Sequence, residues 1–330
     1  MIARLKLNLP VYVVVPFNEE FNRFIEYIEG DCLVKIYPPA NNRLNKKLGD
    51  SLIKINNKES GFTDTLIIDF IKDSFRREHG PPFDPSYDLI YRTVCNFLLK
   101  FRTVSKQAHI IPVLGIKHGW ELEYLNDDGS KLKKQDGKHR TRWSRGSDRL
   151  FTAINKEIWD DIEKLDSYYQ PPIWETLLFD AKALMPQIGP PIVLAHSSLE
   201  VFIPITLDIL VEKSQIPPSI WKWINNRKNK NPDIREQYDS LLNIILGKSL
   251  KSEKELWQAL NNLTKARNSF VHNGIARIDR KIVNSSDVSN FINKTEEIIK
   301  YVDAKLPEDI QWYNKYNHST RFQFHNSENS

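Results

Sequence analysis

The sequence predicts an α+β chain, with a strand-rich first half and an all-helical second half. Three observations carry that expectation. Short β-branched runs bounded by Pro, Gly and Asn fill the first part. Apolar residues at helical spacing fill the chain beyond residue 150. Between them the composition shifts to KLKKQDGKHRTRWSRGSDR over 131–149, with eight Lys or Arg against two acids. The 330 residues are 40% hydrophobic and 27% charged, enough apolar material for packed cores and against wholesale disorder. The expected division is a strand-rich mixed α/β sensor or regulatory domain over 1–150, a helical domain over 151–306, and a polar tail over 307–330.

Strands are expected at IARLKLNL, VYVVV, CLVKIY, SLIKI and TLIIDFI, then at HIIPVLGIKH and WELEYL, with NDDG at 126–129 as a hairpin turn. YDLIYRTVCNFLLKF (87–101) is the exception, with helical spacing. Beyond 150, six stretches have helical spacing. They are FTAINKEIWDDIEKLD, IWETLLFDAKALMPQ, PIVLAHSSLEVFIPITLDILVEK, PDIREQYDSLLNIILG, EKELWQALNNLTKARNSFV and SDVSNFINKTEEIIKYVDAKL. Pro pairs at 171–172, 190–191 and 217–218 suit helix starts or breaks. The stretch at 191–213 is apolar almost all round and is expected at the centre of a bundle. His196, Glu200 and Asp208 interrupt it, with His196 and Glu200 spaced i, i+4. His196 and Glu200 are expected either as a buried His–Glu hydrogen bond or with the acid reaching towards a neighbouring helix. Pro204 is expected to kink this helix.

The net charge of +5 is compatible with a nucleic-acid partner without requiring one. Cys32 and Cys95 form no disulfide framework and sit in no CxxC, so both are expected as reduced core residues of a cytoplasmic protein. The apolar run VYVVVPF is too short for a secretory core or a span, and no continuous run approaches about 18 residues. No membrane association is expected.

One stretch stands apart. In LTKARNSFVHNG (263–274), Leu256, Leu260 and Leu263 set an apolar stripe, and Arg267 falls in its middle. A guanidinium on an apolar face either snorkels to solvent or meets something anionic or polar. His272 lies five residues later, about 140° away on an ideal helix. Asn273-Gly274 is a good helix stop. Convergence of Arg267 and His272 on one spot therefore needs the helix end or a second copy of the chain.

These residues resemble the Arg-x4–6-His motif of the HEPN family, small helical domains of bacterial and archaeal toxin and phage-defence systems. Asn268 supplies the polar residue that usually comes after the Arg. LWQALNNLTKARNSFVHNG resembles the family's motif helix, VLAHSSLEVFI its central helix and NKTEEIIKYV its closing helix. The resemblance covers about 151–306 and says little of 1–150. A second formal match, Arg102…His109, runs into a strand-like segment and lies off the bundle.

The resemblance implies a metal-independent endoribonuclease that works as a homodimer, with a role in toxicity or antiviral defence. In that reading Arg267 holds the scissile phosphate and His272 transfers protons or orients the 2′-OH. Asn268, Asn273 and Glu200 contact substrate nearby. The residue types suit the chemistry. An imidazole titrating at about 6.5 passes protons at neutral pH, and a guanidinium fork fits a phosphate. No cofactor or metal is implied: GxxxxGK[ST], GxSxG and HExxH are all absent from the sequence. HGWE at 118–121 lacks a third ligand. Lys138, Arg140, Arg142 and Arg145, with Trp143 among them, form either a solvated loop or an arm that tracks RNA phosphates and stacks a base. The rival reading is a non-catalytic HEPN module that binds nucleotides or a partner such as an antitoxin.

Overall fold

The computed structural model describes residues 1–21, 23–39, 44–48, 51–75, 84–112, 119–130, 139–141, 150–214, 216–225, 232–316, 318 and 322–326. The chain divides into two compact units, Met1–Gln170 with Tyr316–Ser330, and Pro171–Lys315.

The first unit is built on a long strand, β1 (Ile2–Pro16), whose sequence alternates so that Ala3, Leu5, Leu7, Leu9, Val11 and Val13 all face inward. After it come β2 (Ile25–Glu29), β3 (Cys32–Ile36), β4 (Lys47–Leu48), β5 (Ser51–Ile55) and β6 (Lys58–Ile71). Helix α1 (Tyr87–Ser105), β7 (Trp120–Leu125), β8 (His139–Thr141), β9 (Phe151–Ala153) and α2 (Lys156–Lys164) complete the unit's first run.

β1 lies between β6 and β7, antiparallel to both, with Ile2 opposite Ile71 on one side and Leu125 on the other. IARLKLNL and VYVVV are thus one strand. The register against β6 shifts between Asn8 and Val13, and that irregularity accommodates Pro10, which has no N–H to give a ladder. β9 runs parallel to the second half of β1. Opposite charges pair across the sheet at Arg4 and Asp69, joined by two hydrogen bonds of 2.7 and 2.8 Å, with the Tyr37 hydroxyl donating to the same carboxylate at 2.7 Å.

The core of this unit joins the inner face of β1 to Phe97, Leu98, Phe101 and Val104 of α1 and to Ile158, Trp159 and Ile162 of α2. That burial moves the boundary from residue 150 to Gln170. The apolar face of 156–164 covers the sheet unit, and Phe151–Ala153, expected as the start of a helix, is a strand.

The second unit is helical: α3 (Ile173–Ala183), α4 (Gly189–Glu212), α5 (Pro218–Asn225), α6 (Ile234–Glu236), a π turn at Gln237–Leu241, α7 (Leu242–Leu246) and α8 (Lys254–Asn273). A hairpin of β10 (Arg277–Ile278) and β11 (Lys281–Ile282) leads to α9 (Ser285–Asp303), which begins with an Asn284/Asp287 capping box.

α4 packs against α3, α8 and α9, the central position expected of its sequence. Among the described residues it is the one helix long and apolar enough to cross a membrane, and half of that stretch is buried in the bundle. It starts with Pro190 and Pro191, where missing N–H groups cost nothing, and it runs on through Pro204, which is exposed. Its partners in the core include Trp174, Leu260, Leu263, Ile292 and Ile299.

The chain then returns to the first unit, where β12 (Phe322–Asn326) pairs antiparallel with β5. The expected polar tail thus contributes a strand to the sheet.

Candidate functional site

The motif helix α8 forms because Leu256, Leu260, Leu263 and Ala266 recur at helical spacing, and Leu260, Leu263 and Ala266 are buried. It stops at Gly274, whose φ of 70° is left-handed and whose N–H donates to the Phe270 carbonyl at 2.8 Å. The Asn-Gly ending therefore acts as the sequence predicted.

Arg267 is half-buried on the apolar face. Its Nε is buried with no hydrogen-bond partner, while Nη1 donates to Asn268 Oδ1 at 3.0 Å. An orphaned N–H of a guanidinium is costly to bury, and an anionic oxygen would satisfy it. The polar residue after the arginine thus holds one nitrogen of the fork.

Glu200 lies within its electrostatic reach, and His196 links that acid to Thr264 on the same helix as Arg267. His196 of α4, only 2% exposed, lies with Nε2 3.2 Å from Thr264 Oγ1 on α8. The Thr264 hydroxyl donates its own hydrogen to the Leu260 carbonyl at 2.8 Å, so Nε2–H is the donor in the His196–Thr264 contact. The other ring nitrogen, Nδ1, is 3.3 Å from Glu200 Oε2 but without hydrogen-bond alignment. His196 holds the Glu200 carboxyl below the usual range. Partial burial opposes this, and the charge of Arg267 adds to the lowering. The expected buried His196–Glu200 hydrogen bond is not formed, because the ring nitrogen lacks alignment and Glu200 is exposed. The pair is close, and the acid lies within the electrostatic reach of Arg267.

His272 and Asn273 are exposed in the last turn of α8. Because the helix continues through both, the ideal angular separation of Arg267 and His272 persists, and the guanidinium bonds Asn268, not His272. Within one chain the structure assembles Arg267, Asn268, Thr264, Glu200 and His196, and leaves His272 and Asn273 outside that group. Val271, expected beside the apolar stripe, is half exposed, as are Ile275 and Ile282 of the following turn and hairpin.

The close approach of α4 and α8 depends on Gly189. A Cβ at that position would sit 2.0 Å from Phe270 Cζ, so the ring of the motif helix rests on the glycine itself. Thr264 and Gly189 were not singled out from sequence. A threonine three residues before Arg267, within the apolar stripe, was the available sign for the first.

The basic run falls largely outside the described residues. Lys138, Arg142, Trp143 and Arg145 lie beyond them, and of Arg140 only the backbone, within β8, is described. His118 of HGWE also lies outside them. Arg102, by contrast, is buried at the end of α1, where its Nη2 donates to the Ala108 carbonyl at 3.2 Å. Burial and the Arg102 charge push the His109 imidazole down. Cys32 is buried and Cys95 half-buried, and both are free thiols. Among the described residues no three His, Cys, Asp or Glu side chains gather as a metal-binding group.

Comparisons with family models, with curated proteins and with solved structures give no match to this chain. The class that the fold defines is an α+β chain of two units. The functional reading rests on the chemistry around Arg267.

Proposed function

We propose that this chain is a HEPN-type endoribonuclease of the cytoplasm, acting without a metal at a dimeric Arg/His site in a toxin or antiviral defence role. One observation carries the reading. A guanidinium stands on an otherwise apolar helix face with its Nε buried and unpartnered, held on one side by the adjacent Asn268. A bridging or non-bridging phosphate oxygen supplies the missing acceptor.

In the proposed reaction the 2′-OH attacks the adjacent phosphorus and the P–O5′ bond breaks. The 2′ proton leaves to a base and a proton is delivered to the departing O5′. The products are a 2′,3′-cyclic phosphate and a 5′-hydroxyl, and no oxidant, reductant or cofactor is consumed. Arg267 neutralises the charge growing on the phosphate, and His272 moves the proton. Because His272 and Arg267 diverge on one helix, the complete site uses two copies. The exposed Val271, Ile275 and Ile282 beside His272 support burial of this region against a second chain. The divergence also favours a second reading, a non-catalytic module that binds nucleotides or an antitoxin through the Arg267 cluster.

The deciding experiment incubates the purified chain in EDTA with an RNA and with its analogue carrying a single 2′-deoxyribose at the cut position. The proposal expects cleavage of the RNA to cyclic-phosphate ends and none of the analogue at that position. No cutting of varied RNAs by a verified dimer leaves the binding module, and equal cutting of both substrates overturns 2′-OH attack as the mechanism.

A further inference from the structure

A second site lies in the sheet unit, remote in sequence from Arg267. The outer face of α1, strand β2 and the turn ending at Gln170 enclose a cleft of about 200 Å³. Three phenols, Tyr27, Tyr91 and Tyr168, are among the residues that line it. All three are held neutral: burial pushes Tyr27 up to about 12, hydrogen bonding to Cys95 raises Tyr91, and hydrogen bonding to Glu29 raises Tyr168.

The polar groups of the cleft are incompletely used. Thr93 lines it and is buried, with the Tyr27 phenol beside its hydroxyl. Asn96 gives one amide hydrogen to the Tyr169 carbonyl over a long 3.5 Å.

Charge narrows the choice of ligand. The guanidinium of Arg92 at the rim is already paired with Glu29 at 2.6 Å and Asp88 at 2.9 Å, so one cation faces two carboxylates. Such a rim repels a phosphate. A cationic guest is disfavoured too, because Lys100 Nζ already stands 5.9 Å from the centre of the Tyr27 ring. What remains is a flat, uncharged guest with donors and acceptors on its edge and faces that stack on tyrosine. The volume, below the roughly 300–1,000 Å³ of sites for drug-sized ligands, admits one such ring system. A carboxamide such as Asn96 reads a nucleobase edge with donor and acceptor together, and aromatic rings accept bases of any sequence.

We propose that the Tyr27–Tyr91–Tyr168 cleft binds an uncharged nucleoside through its base. The site gives the sheet unit a ligand of its own, independent of what the helical unit does with RNA.

The test is equilibrium binding of adenosine, guanosine, cytidine, uridine and their 5′-monophosphates to the full chain, by calorimetry or ligand-observed NMR. The proposal expects saturable binding of at least one nucleoside, and weaker binding of its monophosphate at low salt. Asn96→Leu and Tyr168→Ala should each lower that affinity at least tenfold, and Arg267→Ala should leave it unchanged. Tyr168 is exposed, so its variant keeps the fold even where a change at Asn96 does not. No saturable binding up to millimolar nucleoside overturns the proposal. So does binding indifferent to Tyr168→Ala, loss on Arg267→Ala, or displacement by tetramethylammonium, which marks a cation cage. Failure here leaves RNA cleavage untouched, and failure of RNA cleavage leaves nucleoside binding untouched.

Discussion

Gly189→Ala tests how the motif helix is held. The new Cβ would stand 2.0, 2.1 and 2.6 Å from three atoms of the Phe270 ring, where real contacts essentially never fall below 3.0 Å. Two effects compete. Alanine gains about 0.5–1 kcal/mol over glycine inside a helix, and less at this first helical position. Overpacking of this kind costs about 1–3 kcal/mol because a ring packed against the core must shift. Phe270 is half-buried against the second unit's core, so moving the ring gives up packing there, and the clash outweighs propensity. The expected result in urea unfolding is a lower midpoint at unchanged slope, with a net loss of about 1–2 kcal/mol. Phe270→Leu in the same chain should recover part of the loss, a coupling that marks direct contact. Because Phe270 lies between Arg267 and His272, RNA cleavage should fall more than stability alone explains. A neutral or stabilising Gly189→Ala, or additive effects of the two substitutions, would refute the reasoning.

Three other outcomes are expected. Burial lowers the Lys100 ammonium to about 8 from an ordinary 10.5, so the unfolded chain binds more protons between those values and stability rises with pH across that window, by about 3 kcal/mol; Lys100→Met should remove this slope in pH-dependent unfolding, and an unchanged slope would reject it. Light scattering should give a homodimer at micromolar concentration, and mixing inactive Arg267→Ala with inactive His272→Ala should restore part of the cleavage through mixed dimers, whereas a strict monomer contradicts the shared site. Neutralising Lys138, Arg140, Arg142 and Arg145 together should weaken RNA binding and flatten its salt dependence, and an unchanged salt series would make 131–149 a solvated loop.

Much of the fold was legible because it is written locally. The two-residue alternation of Ala3 to Val13 fixes which face of β1 is buried, and the stripe of α8 with its Gly274 stop fixes that helix to within a few residues. The elements that escaped depend on partners far along the chain. Phe151–Ala153 and Phe322–Asn326 become strands only because Tyr12–Val14 and Ser51–Ile55 offer edges to pair with. IARLKLNL and VYVVV join as one strand because the register shift against β6 gives Pro10 a place between them. Arg267 was visible as a charge in an apolar stripe. Thr264 and Gly189 were not, since each matters through what α4 brings against it. The divergence of Arg267 and His272 comes from helix geometry and was expected. That Glu200 comes within electrostatic reach of the arginine, with His196 between it and Thr264, depends on how α4 and α8 pack.

The most direct test of the account is the single-turnover rate of RNA cleavage in EDTA by the wild-type chain and by Arg267→Ala and His272→Ala, with fold and dimer verified for each. A structural arginine on an apolar face can be removed at little cost or even with a gain in stability. A phosphate-binding arginine and a proton-transferring histidine each account for orders of magnitude in rate. The account predicts cleavage by the wild type and a loss of at least about a hundredfold in each variant with the dimer intact. Variants that cut as fast as the wild type would contradict it.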